Sequence, residues 1–214
     1  MVRLIPDCML VRQVARLSDA TSGCCEAAQS QKLFQCHLRL RVVACTSSPP
    51  AAGVTLQDGG RKNFLRFGVT TAGPMDPLAF ATANAAVEAR QASTAIEVSL
   101  GGIEVMTEGV AVTVAGGDFR LALGDCAWTG AARIRLDPHA RLTIRPGRKG
   151  VWCYLAIAGH IAVSPTLGST ATHIRSALGG LKGTALQAGD FLPIDVPRVL
   201  EPPLAVFMAP WPSG

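Results

Sequence analysis

Beyond residue 90 the chain alternates apolar and polar positions in short bursts, a pattern that predicts strands rather than helices. Runs at 95–99 (AIEVS), 103–106, 110–115 (VAVTVA), 119–123, 133–136, 141–145 (RLTIR), 151–158 (VWCYLAIA) and 191–194 all read this way. Turn signals separate them: Gly101-Gly102, Gly116-Gly117-Asp118, Asp137-Pro138, Pro146-Gly147 and Gly189-Asp190. RLTIR alternates cleanly, so one of its faces should be wet. YLAIA is nearly all apolar and should run through the middle of a sheet. LRVV, from Leu40, adds a strand upstream. Many short strands at this spacing predict an all-β barrel or sandwich.

One segment carries the helical period instead. Between residues 77 and 90, Phe80, Ala83, Asn84 and Val87 fall on one face at i, i+3, i+4 and i+7. Asp76 suits the N-cap, where its carboxylate can accept free backbone N–H groups, and Pro77 suits the first helical position. Asn84 is a polar residue on an apolar stripe and must find partners there. A hydrogen bond to the neighbouring glycine loop and a substrate contact both satisfy that demand. Just before the helix, residues 54–76 (VTLQDGGRKNFLRFGVTTAGPMD) set glycines, acids and bases between short apolar pieces. Backbone of this kind turns sharply or approaches something closely.

Composition narrows the function classes. With 214 residues, 49 % hydrophobic and 16 % charged, the chain can bury a sizeable core and is not a disordered polymer. Twenty basic against 15 acidic residues give a formal +5, but the basic residues are scattered along the sequence. No aromatic-plus-basic patch is visible, so nucleic acid is not an expected partner. No apolar run approaches the roughly 18 residues of a membrane span, so no membrane partner is expected either. Five of seven cysteines (Cys8, Cys24, Cys25, Cys36, Cys45) lie in the first 45 residues, none at C-x-x-C spacing. That argues against a disulfide framework or a zinc site and for a reducing cytoplasm. Neither an H-x-H cluster nor a G-x-x-x-x-G-K-[ST] phosphate loop is present. His160 and His173, near glycine-rich turns, read as surface or hydrogen-bonded rings.

The glycine stretch carries a resemblance. Gln57-Asp58-Gly59-Gly60-Arg61, then Gly68-Val69 through Gly73-Pro74-Met75-Asp76, then Ala83-Asn84, resemble QD-x-GR, GV-x-x-x-GAMD and AN-x-LVGN. Those motifs mark the biotin-dependent carboxyltransferase family, which includes allophanate hydrolase subunit 2 and the C-type component of 5-oxoprolinase. AIEVSLGG (95–102), YLAIAGHIAVSPTLGS (154–169) and residues 172–190 extend the likeness to about residue 194.

The resemblance implies a fold of two cyclophilin-like β-barrels, with residues 40–195 forming the first and one short helix after the glycine loop. Residues 196–214 would then be a Pro-rich linker and the start of a second barrel that is missing, making the chain a fragment. The likeness does not reach residues 1–39, which read as a disordered arm, a mis-assigned start or a transit peptide. The implied activity is ATP-dependent opening of 5-oxoproline to glutamate, as one component among companion subunits acting on a small amide or lactam. Carboxyl transfer from carboxybiotin to urea, with biotin on a partner protein, is the alternative; a non-catalytic regulatory binding module is a third. Asp58, Arg61, Asp76, Asn84 and Glu97 are the implied site residues. An Asp58–Arg61 ion pair would shape the glycine loop, and Asp76 would serve either as a simple N-cap or at the site. Glu97 alternates against Ile96 and Val98, toward either a pocket or solvent. The family pattern is broken at Thr170 and Thr184, where arginines are usual, and at His160 and His173.

Overall fold

The computed structural model describes residues 38–45, 53–107 and 109–195, plus the backbone of two short strands at 2–3 and 205–207. In chain order the strands are β1 (Val2–Arg3), β2 (Leu38–Cys45), β3 (Thr55–Gln57), β4 (Ala95–Val98) and β5 (Ile103–Thr107). Next come β6 (Val110–Ala115), β7 (Arg120–Leu123), β8 (Cys126–Thr129), β9 (Ala131–Leu136) and β10 (Arg141–Arg145). The last are β11 (Cys153–Ile157), β12 (His160–Ile161), β13 (Phe191–Asp195) and β14 (Ala205–Phe207). Among the described residues a single α-helix, α1 (Pro77–Ala86), lies between β3 and β4.

Two antiparallel sheets result. One runs β1-β14-β9-β6-β11-β4-β3, the other β12-β13-β2-β5-β10-β7-β8. Leu56, Ile96, Val98, Val112, Val114 and Leu155 of the first meet Leu40, Val42, Ile103, Val105, Leu142 and Ile144 of the second in one buried cluster. Each such side chain contributes about 1.5–3 kcal/mol relative to leaving it in water. The all-β reading with one helix after the glycine loop therefore holds.

The sheets differ in what covers their outer faces. In the second, β5, β10 and β13 alternate buried with exposed or half-exposed positions, so one face is wet, as RLTIR predicted. In the first, β3, β4, β6 and β11 are buried at every position. Helix α1 lies across β11 and β6 and supplies the second cover. Its buried residues Ala79, Phe80, Ala83 and Asn84 fit the expected stripe, and Phe80 meets Tyr154 edge-on at 5.6 Å between ring centroids. β11 is an interior strand of this sheet, flanked by β6 and β4 and buried at every position, which is what the apolar YLAIA run calls for.

The helix ends at Ala86, short of the expected residue 90. Glu88 turns left-handed at φ 53°, and the Ala89 N–H donates back to the Asn84 carbonyl at 2.9 Å. A left-handed residue closing a helix is the usual job of glycine; here a glutamate does it, which hid the stop. Strands β3 and β12, three and two residues long, were also too short to show a period. Cys45 and Cys153 carry free thiols as expected, but Cys126 is disulfide-bonded, against the expectation. Among the described residues no group of three His, Cys, Asp or Glu could hold a metal ion, and no helix is long and apolar enough to cross a membrane. Apart from β1 and β14, the readings of the N-terminal arm and the Pro-rich C-terminal segment lie outside the described residues.

Candidate functional site

The site is built on the helix-covered sheet. Register sets Thr55 opposite Glu97 and Glu97 opposite Tyr154, one row across β3, β4 and β11. Ile96, Val98 and Leu155 occupy the alternate positions and point into the core. The row therefore faces the other way, under the glycine loop. Glu97 accepts from the Thr55 hydroxyl at 3.3 Å with Oε1, and from the Tyr154 hydroxyl at 2.7 Å and the Met75 N–H at 2.9 Å with Oε2. The Tyr154 oxygen in turn accepts from the Asp76 N–H at 2.8 Å. Glu97 thus faces neither solvent nor an open pocket: it is 4 % exposed. Burial holds its pKa above the usual carboxylate value, and the three donors only partly offset that. Burial, with the Glu97 charge adding to it, keeps the Tyr154 phenol protonated far above its usual range.

Gln57 extends the network. Its Nε2 donates to the Thr55 hydroxyl and the Thr172 carbonyl, and its Oε1 accepts from the Gly73 N–H. The loop above folds onto itself. Gly60 has φ 83°, and a Cβ there would sit 3.1 Å from the Thr71 and Ala72 carbonyl oxygens. Gly73, at φ 101°, lies over the Gly60 backbone with room for a Cβ at 3.5 Å, so it is the positive φ rather than a clash that favours glycine there. Ala72, wedged between, is itself left-handed at φ 52°. Strain of this sort persists only where surrounding structure imposes it.

Asp58 and Arg61 do not form the expected ion pair. The Asp58 carboxylate accepts from the Gly60 N–H, the Ser169 hydroxyl, and the Thr170 N–H and hydroxyl, at 2.7–3.2 Å. Arg61 is fully buried; its Nε donates to the Thr166 carbonyl and its Nη2 to the Ala171 carbonyl, both at 3.0 Å. Nη1 is enclosed without a partner among the described residues. Each residue is committed to the 166–171 segment, which leaves neither free for the other. Thr170, where the family pattern has arginine, uses its hydroxyl on Asp58 and on Thr94.

Asp76 caps α1, Oδ1 accepting from the Ala79 N–H at 3.0 Å, and remains half-buried. Asn84 donates to the Phe80 and Ser93 carbonyls, so its partners are the helix and the turn after it rather than the glycine loop. His160 is exposed, and His173 pairs its Nδ1 with the Ser176 hydroxyl at 2.9 Å. Four of the five expected residues, Asp58, Arg61, Asp76 and Glu97, thus gather on the glycine loop and its floor, and Asn84 stands apart. Tyr154, Thr55 and Ser169 were not anticipated as members. A signal existed for Tyr154: a hydroxyl in an otherwise apolar central strand needs a buried partner. Chemically, the arrangement offers half-exposed carboxylates at Asp58 and Asp76 above a buried Glu97–Tyr154 pair that fixes the backbone between Met75 and Asp76.

Comparison with known proteins follows the same residues. Residues 67–212 match the family "Carboxyltransferase domain, subdomain A and B". The chain is similar to the C-type component of the Escherichia coli 5-oxoprolinase, 39 % identical over 143 residues, covering 65 % of this chain and 46 % of that one. It is also similar to urea amidolyase of Lachancea kluyveri, 34 % identical over 153 residues, covering 70 % of this chain and 8 % of that one. Among solved structures it resembles the Kluyveromyces lactis urea carboxylase at a TM-score of 0.65 and 29 % identity, over 77 % of this chain and 15 % of the other. The chain spans about half the length of the 5-oxoprolinase relatives it matches.

Proposed function

The chain belongs to the carboxyltransferase-domain family, and from that premise we propose that it is the C-type component of a 5-oxoprolinase. With companion subunits it would open the lactam of 5-oxoproline to glutamate. Water adds to the lactam carbonyl, the C–N bond breaks and the leaving nitrogen takes a proton, so groups that hold and direct protons are needed. The observation that carries this reading is the 39 % identity to the Escherichia coli 5-oxoprolinase component, higher than that to the urea amidolyase of Lachancea kluyveri.

Asp76 is the side chain we assign to contact with substrate. It is half-buried at the helix N-terminus, and its Oδ2 carries no hydrogen bond among the described residues. Asp58 joins it at the mouth of the loop, and Glu97 and Tyr154 act through it, as positioning residues. ATP does not fit here. The acids repel phosphate, and the guanidinium of Arg61 is enclosed behind its own carbonyl partners. We therefore assign the nucleotide to one of the companion subunits. Domain organisation follows the same reading: residues 40–195 act as the first unit of the carboxyltransferase domain.

The test is 5-oxoproline-dependent glutamate formation by this chain with its companion subunits. Omission of the chain should abolish turnover. Asp76→Asn, checked for native unfolding behaviour, should lower kcat/KM by at least about tenfold, roughly 1.4 kcal/mol of barrier. Wild-type turnover from the Asn variant would remove Asp76 from the site. The likeness to urea amidolyase and to the Kluyveromyces lactis urea carboxylase supports a second reading, carboxyl transfer from biotin on a partner. Urea-dependent consumption of carboxybiotin by the same preparation, without glutamate formation, would select it.

A further inference from the structure

Arginines that lie far apart in the sequence are gathered by register onto the outer face of the sheet that α1 does not cover. Arg41 stands opposite Phe191 of β13 on one side and Met106 of β5 on the other, and Met106 stands opposite Arg141 of β10. Arg39 points the same way from β2, two residues back. At the other end of the face, Arg145 of β10 is directly opposite Arg120 of β7. Between these two clusters runs a low row of Ala44, Glu104, Thr143, Ala122 and Ala127. Five arginines thus share a face with two acids: Glu104, engaged by Arg141 at 2.9 Å, and Asp195 at the far end of β13, opposite His160.

Like charges set directly across a ladder destabilise it, yet Arg120 and Arg145 have no acid against them among the described residues, and one Arg145 nitrogen is enclosed without a hydrogen bond. Arg41 lies 5.6 Å over the half-exposed Phe191 ring. Arginine, phenylalanine and methionine without lysine is the composition of protein–protein contact surfaces. Nucleic acid fits less well. A base-stacking track needs successive exposed aromatics, and on this sheet Trp128 packs toward the core, which leaves Phe191 alone among the described residues.

We propose that this face docks a companion protein through a surface of aspartates and glutamates, with carboxylates seated at the Arg39–Arg41–Arg141 and Arg120–Arg145 clusters. Identifying that companion with another part of a 5-oxoprolinase rests on the function proposed above; the acidic character of the surface does not.

The test uses the full chain carrying Arg41→Glu, Arg120→Glu and Arg141→Glu together, with circular dichroism to verify the fold. Association with the co-expressed companion subunits should weaken at least tenfold and become insensitive to salt. Asp76→Asn, which addresses catalysis, should associate as the wild type does. Phenylglyoxal footprinting should show these arginines reactive in the free chain and protected in the complex. If the companions fail to bind even the wild type, the 5-oxoprolinase assignment falls, and labelled polyglutamate decides the surface alone. Salt-sensitive binding lost in the triple variant supports it, and no binding overturns it. Unchanged association of the triple variant with the companions, or tighter binding of single-stranded DNA than of polyglutamate of equal charge, also overturns it.

Discussion

The two sheets are made of similar strands and put their polar residues to opposite uses. On the open sheet, outward side chains such as Arg41, Arg141 and Thr143 stand in or near water and pair sparsely. On the helix-covered sheet the outward residues Thr55, Glu97 and Tyr154 are sealed beneath α1 and the glycine loop, and each is hydrogen-bonded. Burying a polar group on the second face forces a choice of partner. A row of alternating positions becomes a fixed network there, whereas the same alternation on the open sheet leaves charge available for contacts outside the molecule.

Replacing Glu97 is the strongest way to break this contrast. Glu97→Leu strands the Thr55 hydroxyl, the Tyr154 hydroxyl and the Met75 N–H, and should cost about 3–5 kcal/mol at roughly 1–3 kcal/mol per buried unpaired group. The urea midpoint reports it, and a loss near zero would show that the network carries no weight. Asp58→Ala removes the acceptor that gathers Gly60, Ser169 and Thr170 and should cost about 2–4 kcal/mol by the same measurement. Tyr154→Phe keeps the ring against Phe80 but frees the Asp76 N–H. About 1–2 kcal/mol should be lost, with faster hydrogen exchange at that amide. On the open sheet, Arg141→Ala should change stability by no more than about 0.5 kcal/mol, because the Arg141 end of its pair with Glu104 is solvent-exposed.

Acidity sharpens the comparison without a substitution in the core. Folding raises the Glu97 pKa above its ordinary value of 4.5, so the folded chain binds a proton that the unfolded chain releases. This contribution is fully present below the ordinary value and is lost as pH rises through the folded value. Thermal unfolding of the wild type should therefore show a decline across that window that Glu97→Gln lacks. Identical profiles would mean that Glu97 titrates as if exposed.

The sequence revealed the strands that were long enough to show a period. β6 and β10 begin and end where the alternation placed them, at Val110–Ala115 and Arg141–Arg145. It also revealed the helix start, because Asp76-Pro77 is a local signal. Partnerships across the fold were not legible. Asp58 and Arg61 are three residues apart and opposite in charge, so an ion pair was the natural local reading. Their actual partners lie between Thr166 and Ala171, and only the closed fold brings those near. The arginine face was hidden for the same reason: positions 39, 41, 120, 141 and 145 form no run in the chain and become neighbours only through register.

The separation of the glycine loop from its anchors also sets when the loop can become ordered. Asp58 and Arg61 bond to residues 105–112 positions downstream. On a ribosome releasing about 5–20 residues per second, that part of the chain emerges several seconds after the loop itself. Until then Asp58 and Arg61 lack the groups that anchor them, and the loop has only internal bonds such as Arg61 N–H to the Thr71 carbonyl and Gly73 N–H to the Gln57 side chain. The signature segment, early in the chain, must therefore be among the last parts to take shape, and contacts of such long span place the fold among the slower ones.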